Sequence, residues 1–119
     1  MANILIWGDE YDSCFLARRV LEKLGHEVTL FTNSDDALLW SASQKPELVV
    51  LDSKEGSECL QLFRKLYRCP TAPKVMIMTS VALSPADISD ANRLGADVCL
   101  NRPMEIGEFE KRVAQLLNT

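Results

Sequence analysis

Histidine occurs once in this chain, as His26, and the four cysteines, Cys14, Cys59, Cys69 and Cys99, never form a CxxC pair. His26 has no ligand partner at metal-binding spacing and reads as a surface residue at the start of a strand. A chain of this length can fold without disulfide staples, so the cysteines read as reduced thiols and point to a cytoplasmic setting. Glycine is scarce, at five residues, and no glycine-rich loop follows the first apolar run. Gly8 alone is no phosphate cradle, which sets aside a nucleotide or flavin binder. Basic residues are in deficit: 13 Lys and Arg against 17 Asp and Glu give a net charge of −4. That balance argues against a nucleic-acid surface, which needs a basic field. No apolar run approaches the roughly 20 residues of a membrane span. Met1-Ala2-Asn3 lacks a charged leader before an apolar core, so an unprocessed start is expected. Internal repeats, low-complexity segments and linkers are absent from the sequence as well.

What is there is an ordinary globular composition: 119 residues, 47% hydrophobic and 25% charged, enough for one core and one domain over 1–119. The most informative stretch is Pro46-Glu47-Leu48-Val49-Val50-Leu51-Asp52, a β-prone apolar run that ends on a carboxylate. Such a run reads as a strand buried on both faces, as in a parallel sheet covered by helices. Asp52 is then at the carboxyl end of the strand, the edge where open parallel sheets bind ligands. A plain turn-starting role for Asp52 stays open at this point, because Ser53 to Gly56 is loop-like.

In chain order, Ile4-Leu5-Ile6-Trp7 is a strand cut off by Gly8-Asp9-Glu10, the same shape as the run that ends at Asp52. From Asp12 to Leu24, Phe15, Leu16, Val20, Leu21 and Leu24 recur at helical spacing, and Gly25 closes the helix. Glu27 to Phe31 is a second strand, and Ser34-Asp35-Asp36 can cap a helix that stops before Pro46. After a polar loop, Leu60, Leu62, Phe63, Leu66 and Tyr67 mark a third helix, ended by Pro70 and Pro73. Val75 to Met78 is a fourth strand, Ser84-Pro85 starts a helix that reaches Leu94, Ala96 to Leu100 is a fifth strand, and Glu105 to Leu117 is the last helix. Strand and helix alternate five times, which predicts an α/β fold, a doubly wound parallel sheet with helices on both faces.

At this point the chain resembles the receiver domains of two-component response regulators. The resemblance rests on Asp9-Glu10 after the first strand, Leu48 to Asp52 at the third, Thr79 after the fourth, and Gly95-Ala96-Asp97 with Arg102-Pro103 around the fifth. It covers essentially the whole chain. It implies a flavodoxin-like strand order 2-1-3-4-5, which places Asp9 and Asp52 side by side at the topological switch point. It further implies that Asp52 accepts a phosphoryl group from a histidine kinase or phosphotransfer protein. Asp9, Asp52 and the backbone carbonyl of Lys54 are then expected to hold Mg²⁺, with Glu10 as a further candidate ligand. Thr79 and Arg102 would contact the phosphoryl oxygens. Such a domain is a phosphoacceptor rather than an enzyme, with at most self-catalysed phosphotransfer and dephosphorylation. The implied partners are an output domain or partner protein, with pairing to a second copy also open.

The departures from the family pattern matter as much. Gly8 stands where the first acid of the pair belongs, so Mg²⁺ binding should be weak, and Gly8→Asp is expected to strengthen it. Trp7, beside it, is expected to report the metal by fluorescence. Arg102 replaces a lysine, a planar cation in place of a point charge. Cys99 replaces the aromatic residue of the fifth strand, and the loop Ser53 to Glu58 has no proline. A second reading therefore stands beside the first: a receiver-like interaction module that works without phosphorylation.

Overall fold

The computed structural model describes residues 2–8, 11–67, 73–81, 84–93, 95–99 and 105–118. Ten elements alternate: β1 (Asn3–Gly8), α1 (Tyr11–Lys23), β2 (Glu27–Phe31), α2 (Ser34–Gln44), β3 (Leu48–Glu55), α3 (Gly56–Tyr67), β4 (Lys74–Val81), α4 (Pro85–Arg93), β5 (Ala96–Cys99) and α5 (Ile106–Leu117). The five strands form one sheet in the order β2-β1-β3-β4-β5, and every pairing is parallel. This is the order implied by the family resemblance.

Side-chain alternation along the strands divides the core into two layers. Ile4, Ile6, Val50, Met76 and Met78 pack with Cys14, Ala17 and Leu21 of α1 and Phe109 and Val113 of α5. Leu5, Trp7, Val49, Leu51 and Ile77 pack on the opposite side with Ala37 of α2, Leu62, Phe63 and Leu66 of α3, and Ala91 of α4. The central strand is sealed on both faces: Leu48, Val49, Val50 and Leu51 are each fully buried.

Helix starts follow sequence chemistry, with one shift. Ser84 Oγ accepts from the Asp87 N–H at 3.1 Å and Pro85 is the first residue of α4, as its type suits. For α2 the cap is Asn33 rather than Ser34: its Oδ1 accepts from the Asp36 N–H at 3.1 Å, so Ser34 becomes the first helical residue. Gly25, at φ 93°, closes the turn after α1. His26 is more than a surface residue, since its Nδ1 accepts from the Ala2 N–H at 3.1 Å and ties β1 to the start of β2.

Two strands outrun their sequence limits. β3 does not stop at Asp52 but continues to Glu55, and β4 reaches Val81, because Ser53 pairs with Thr79 and Glu55 with Val81. The loop-like composition of this stretch is overridden by ladder pairing with a neighbouring strand. Among the described residues β1 runs to Gly8, opposite Asp52, while the pairing of β3 with β4 continues to Glu55.

Candidate functional site

The site forms where β1 gives out beside β3. Gly8 pairs directly with Asp52 across the switch point, and Asp52 pairs with Met78 on the other side. Alternation sends the Asp52 side chain toward the α1 and α5 layer, the same direction as Val50. Asp52 as a whole is 1% exposed, which is unusual for an acid and demands compensation. Part of that compensation is visible: the Cys14 thiol of α1 donates to Asp52 Oδ2 across 3.7 Å. A second part comes from topology. α1 follows β1 and α3 follows β3, so both helices begin at this edge and direct the positive ends of their dipoles toward it.

Thr79 is fully buried and is not a strand terminus, being paired in register with Ser53. Its hydroxyl donates to the Lys54 carbonyl oxygen at 3.2 Å. Thr79 and the Lys54 carbonyl, assigned separate duties by the resemblance, are thus linked to one another, Lys54 two residues beyond Asp52 on β3 and Thr79 beside it on β4. The Lys54 side chain itself is exposed. Asp9, Glu10, Arg102 and Pro103 lie outside the described residues, as does the side chain of Cys99. Among the described residues, no group of three or more His, Cys, Asp or Glu side chains is placed to hold a metal ion.

The donors that are described suit Mg²⁺: the Asp52 carboxylate and the Lys54 carbonyl are hard oxygen ligands of the type that ion takes. The thiol of Cys14 is soft and is no part of such a set. A Mg²⁺ ion held by the Asp52 carboxylate and the Lys54 carbonyl would supply positive charge that offsets the approach of one anion to another.

Two expectations about Gly8 need correction. A Cβ built there would overlap Cys14 Sγ and come within 2.7 Å of the Asp52 carbonyl oxygen. The seat of the missing acid is therefore filled, and Gly8→Asp would force backbone apart before it could add a ligand. Trp7 also points the wrong way for a metal reporter, because its indole belongs to the α2 and α3 layer, across the sheet from the Asp52 carboxylate. Trp40, read from sequence as packing, does pack: its ring lies 5.9 Å from that of Phe31, tilted by 54°.

Cys14 is the residue that sequence reasoning missed. The available signal was a pairing of two anomalies: a glycine where an acid is expected, and a small thiol six residues later on the first turns of the helix that covers it. Neither means anything until the fold brings α1 down on β3.

A second polar cluster lies on α5. Arg112 Nη1 donates to Asp97 Oδ1 at 3.1 Å, joining α5 to β5, and Arg112 Nε donates to Glu108 Oε1 one turn back on α5 at 3.1 Å. These residues line a cleft of about 510 Å³ with Asn92, Lys111 and Gln115. No helix among the described residues is long and apolar enough to cross a membrane.

Comparison with known proteins agrees with this fold. The response regulator receiver domain model matches residues 4–114. The chain is 31% identical over 114 residues to the KDP operon transcriptional regulatory protein KdpE of Escherichia coli (strain K12), covering 95% of this chain and 50% of KdpE. It thus spans about half the length of that relative. It is 29% identical over 117 residues to sporulation initiation phosphotransferase F of Bacillus subtilis (strain 168), covering 97% of this chain and 93% of that protein. The crystal structure of a response regulator from Thermotoga maritima matches with a TM-score of 0.82 at 25% identity, covering 100% of both chains. With the family pattern running through nearly all of its length and the same fold matched from end to end, this chain belongs to the response regulator receiver domain family.

Proposed function

We propose that Asp52 is the phosphoacceptor of this domain and that a partner histidine kinase or phosphotransfer protein supplies the phosphoryl group. One observation carries the reading: a buried carboxylate near the carboxyl end of the central strand, paired across the switch point with Gly8 at the edge where α1 and α3 begin. Such a position suits an acid that must take on further negative charge. In the step, a carboxylate oxygen of Asp52 attacks phosphorus, the bond from phosphorus to the donor's histidine nitrogen breaks, and an acyl phosphate forms. Thr79 supports the reading, since its hydroxyl lies one register step beyond Asp52 on the neighbouring strand and can turn from the Lys54 carbonyl to a phosphoryl oxygen. Asp9, with Glu10 beside it, and Arg102 complete the proposal as metal ligands and phosphoryl cation. The added charge would act on an output domain or partner protein through local reorganisation.

The second reading, binding without phosphorylation, draws on the Gly8 and Cys14 pair, which replaces an acid with a thiol. One experiment decides between the two. Incubation with acetyl phosphate and Mg²⁺ should add the mass of one phosphoryl group, and Asp52→Asn should abolish the gain. No gain at any Mg²⁺ concentration leaves the interaction-module reading in possession.

A further inference from the structure

The geometry points to Cys14 as a positioning residue for Asp52: its thiol fills the space left at Gly8 and, by donating to Oδ2, fixes the carboxylate orientation from which phosphoryl acceptance proceeds. This rests on the reading of Asp52 as a phosphoacceptor and adds a residue that the family pattern does not contain.

Three observations converge on it. Cys14 is 1% exposed, so its thiol does not exchange its partner for solvent. Its sulfur is the side-chain atom that a Cβ at Gly8 would strike, so it stands in the seat an acid would otherwise enter. Its contact with Asp52 Oδ2 joins residues 38 positions apart in a buried setting, which makes it a product of the fold rather than of local sequence. A carboxylate torsion is broad and two-fold in its preferences, so nothing intrinsic to aspartate selects one orientation. A fixed donor on one oxygen does. The thiol is a weak donor, but in a buried setting a hydrogen bond to a charged group gains strength.

A packing role alone would look different under substitution. Cys14→Ala removes both bulk and donor, Cys14→Val keeps apolar bulk and removes the donor, and Cys14→Ser keeps a donor while losing bulk. Positioning predicts that serine stands with the wild type and that alanine and valine fall together. Pure packing predicts that valine does best and that serine resembles alanine.

The experiment follows acyl phosphate formation with acetyl phosphate and Mg²⁺ by intact mass, in which acetate leaves as the Asp52 acyl phosphate forms. Circular dichroism verifies the fold of each variant. Loss of a hydrogen bond to a buried charged group should slow labelling about tenfold in Cys14→Ala and Cys14→Val. Cys14→Ser should stay within about threefold of the wild type, on the same reasoning. If alanine fails to fold, the contrast of valine with serine decides alone. Should Cys14→Val label as fast as the wild type, or serine fall as far as valine, the positioning role is overturned while the phosphoacceptor reading survives. Should the wild type itself take no label, both fall together, and that outcome is distinct because it precedes any substitution.

Discussion

The tightest test of the site's construction is Gly8→Ala. Gly8 is not among the residues with positive φ, so alanine meets no backbone penalty there. Replacing glycine in a compatible conformation should even stabilise by about 0.4–1 kcal/mol through the unfolded chain. Against this stands the collision: the new methyl would overlap Cys14 Sγ, reach 2.7 Å from the Asp52 carbonyl oxygen and 3.4 Å from Asp52 Cβ. Overpacking of this kind costs about 1–3 kcal/mol, and the backbone oxygen, which cannot rotate aside, places this site toward the upper end. The net expectation is destabilisation of about 2 kcal/mol. Cys14→Ala alone removes one buried sulfur and should cost about 1 kcal/mol. In the double variant the methyl at position 8 enters the space that the sulfur vacates, so the two losses should fall short of their sum by about 1 kcal/mol. Urea unfolding of all four proteins, fitted with a shared slope, measures the cycle. A neutral Gly8→Ala, or a coupling within about 0.5 kcal/mol of zero, would refute the interlock.

Other perturbations test the frame around the site. Asn33→Ala removes the side-chain acceptor of the Asp36 N–H and should cost about 1 kcal/mol in urea unfolding. Ser34→Ala, at the residue that sequence alone nominates as part of the cap, should cost less. Lys45, at φ 48° after α2, occupies the left-handed region where a Cβ is strained; Lys45→Gly should raise stability by roughly 0.5 kcal/mol, visible as a higher urea midpoint. Arg112→Ala breaks the links to Asp97 and Glu108, but its side chain is 35% exposed, so the loss should stay below about 1 kcal/mol. If partners dock on α4, β5 and α5, Glu108→Arg should weaken a partner's binding in titration calorimetry far more than it lowers stability, and Arg64→Glu should leave that binding unchanged.

The alternation of apolar runs with helical periodicity determined the fold class from sequence alone. Leu48 to Leu51 reads as a strand sealed on two faces, and five apolar runs alternating with amphipathic helices point to a layered α/β fold. Asp52 was legible for the same reason: a charge at the end of a buried run is an abrupt change that a linear reading detects. Periodicity could not set strand order, which the family resemblance implied and the ladder pairing shows. Strand ends were not legible either, because Ser53 to Glu55 has a loop's composition and becomes strand only through its partner β4. Least legible of all was Cys14. Its significance depends on a glycine six residues earlier and an aspartate 38 residues later, and only the packing of α1 against β1 and β3 brings the three within contact. Local residue patterns report burial and periodicity, whereas the fit of one side chain into the space left by another exists only once the helix is laid on the sheet.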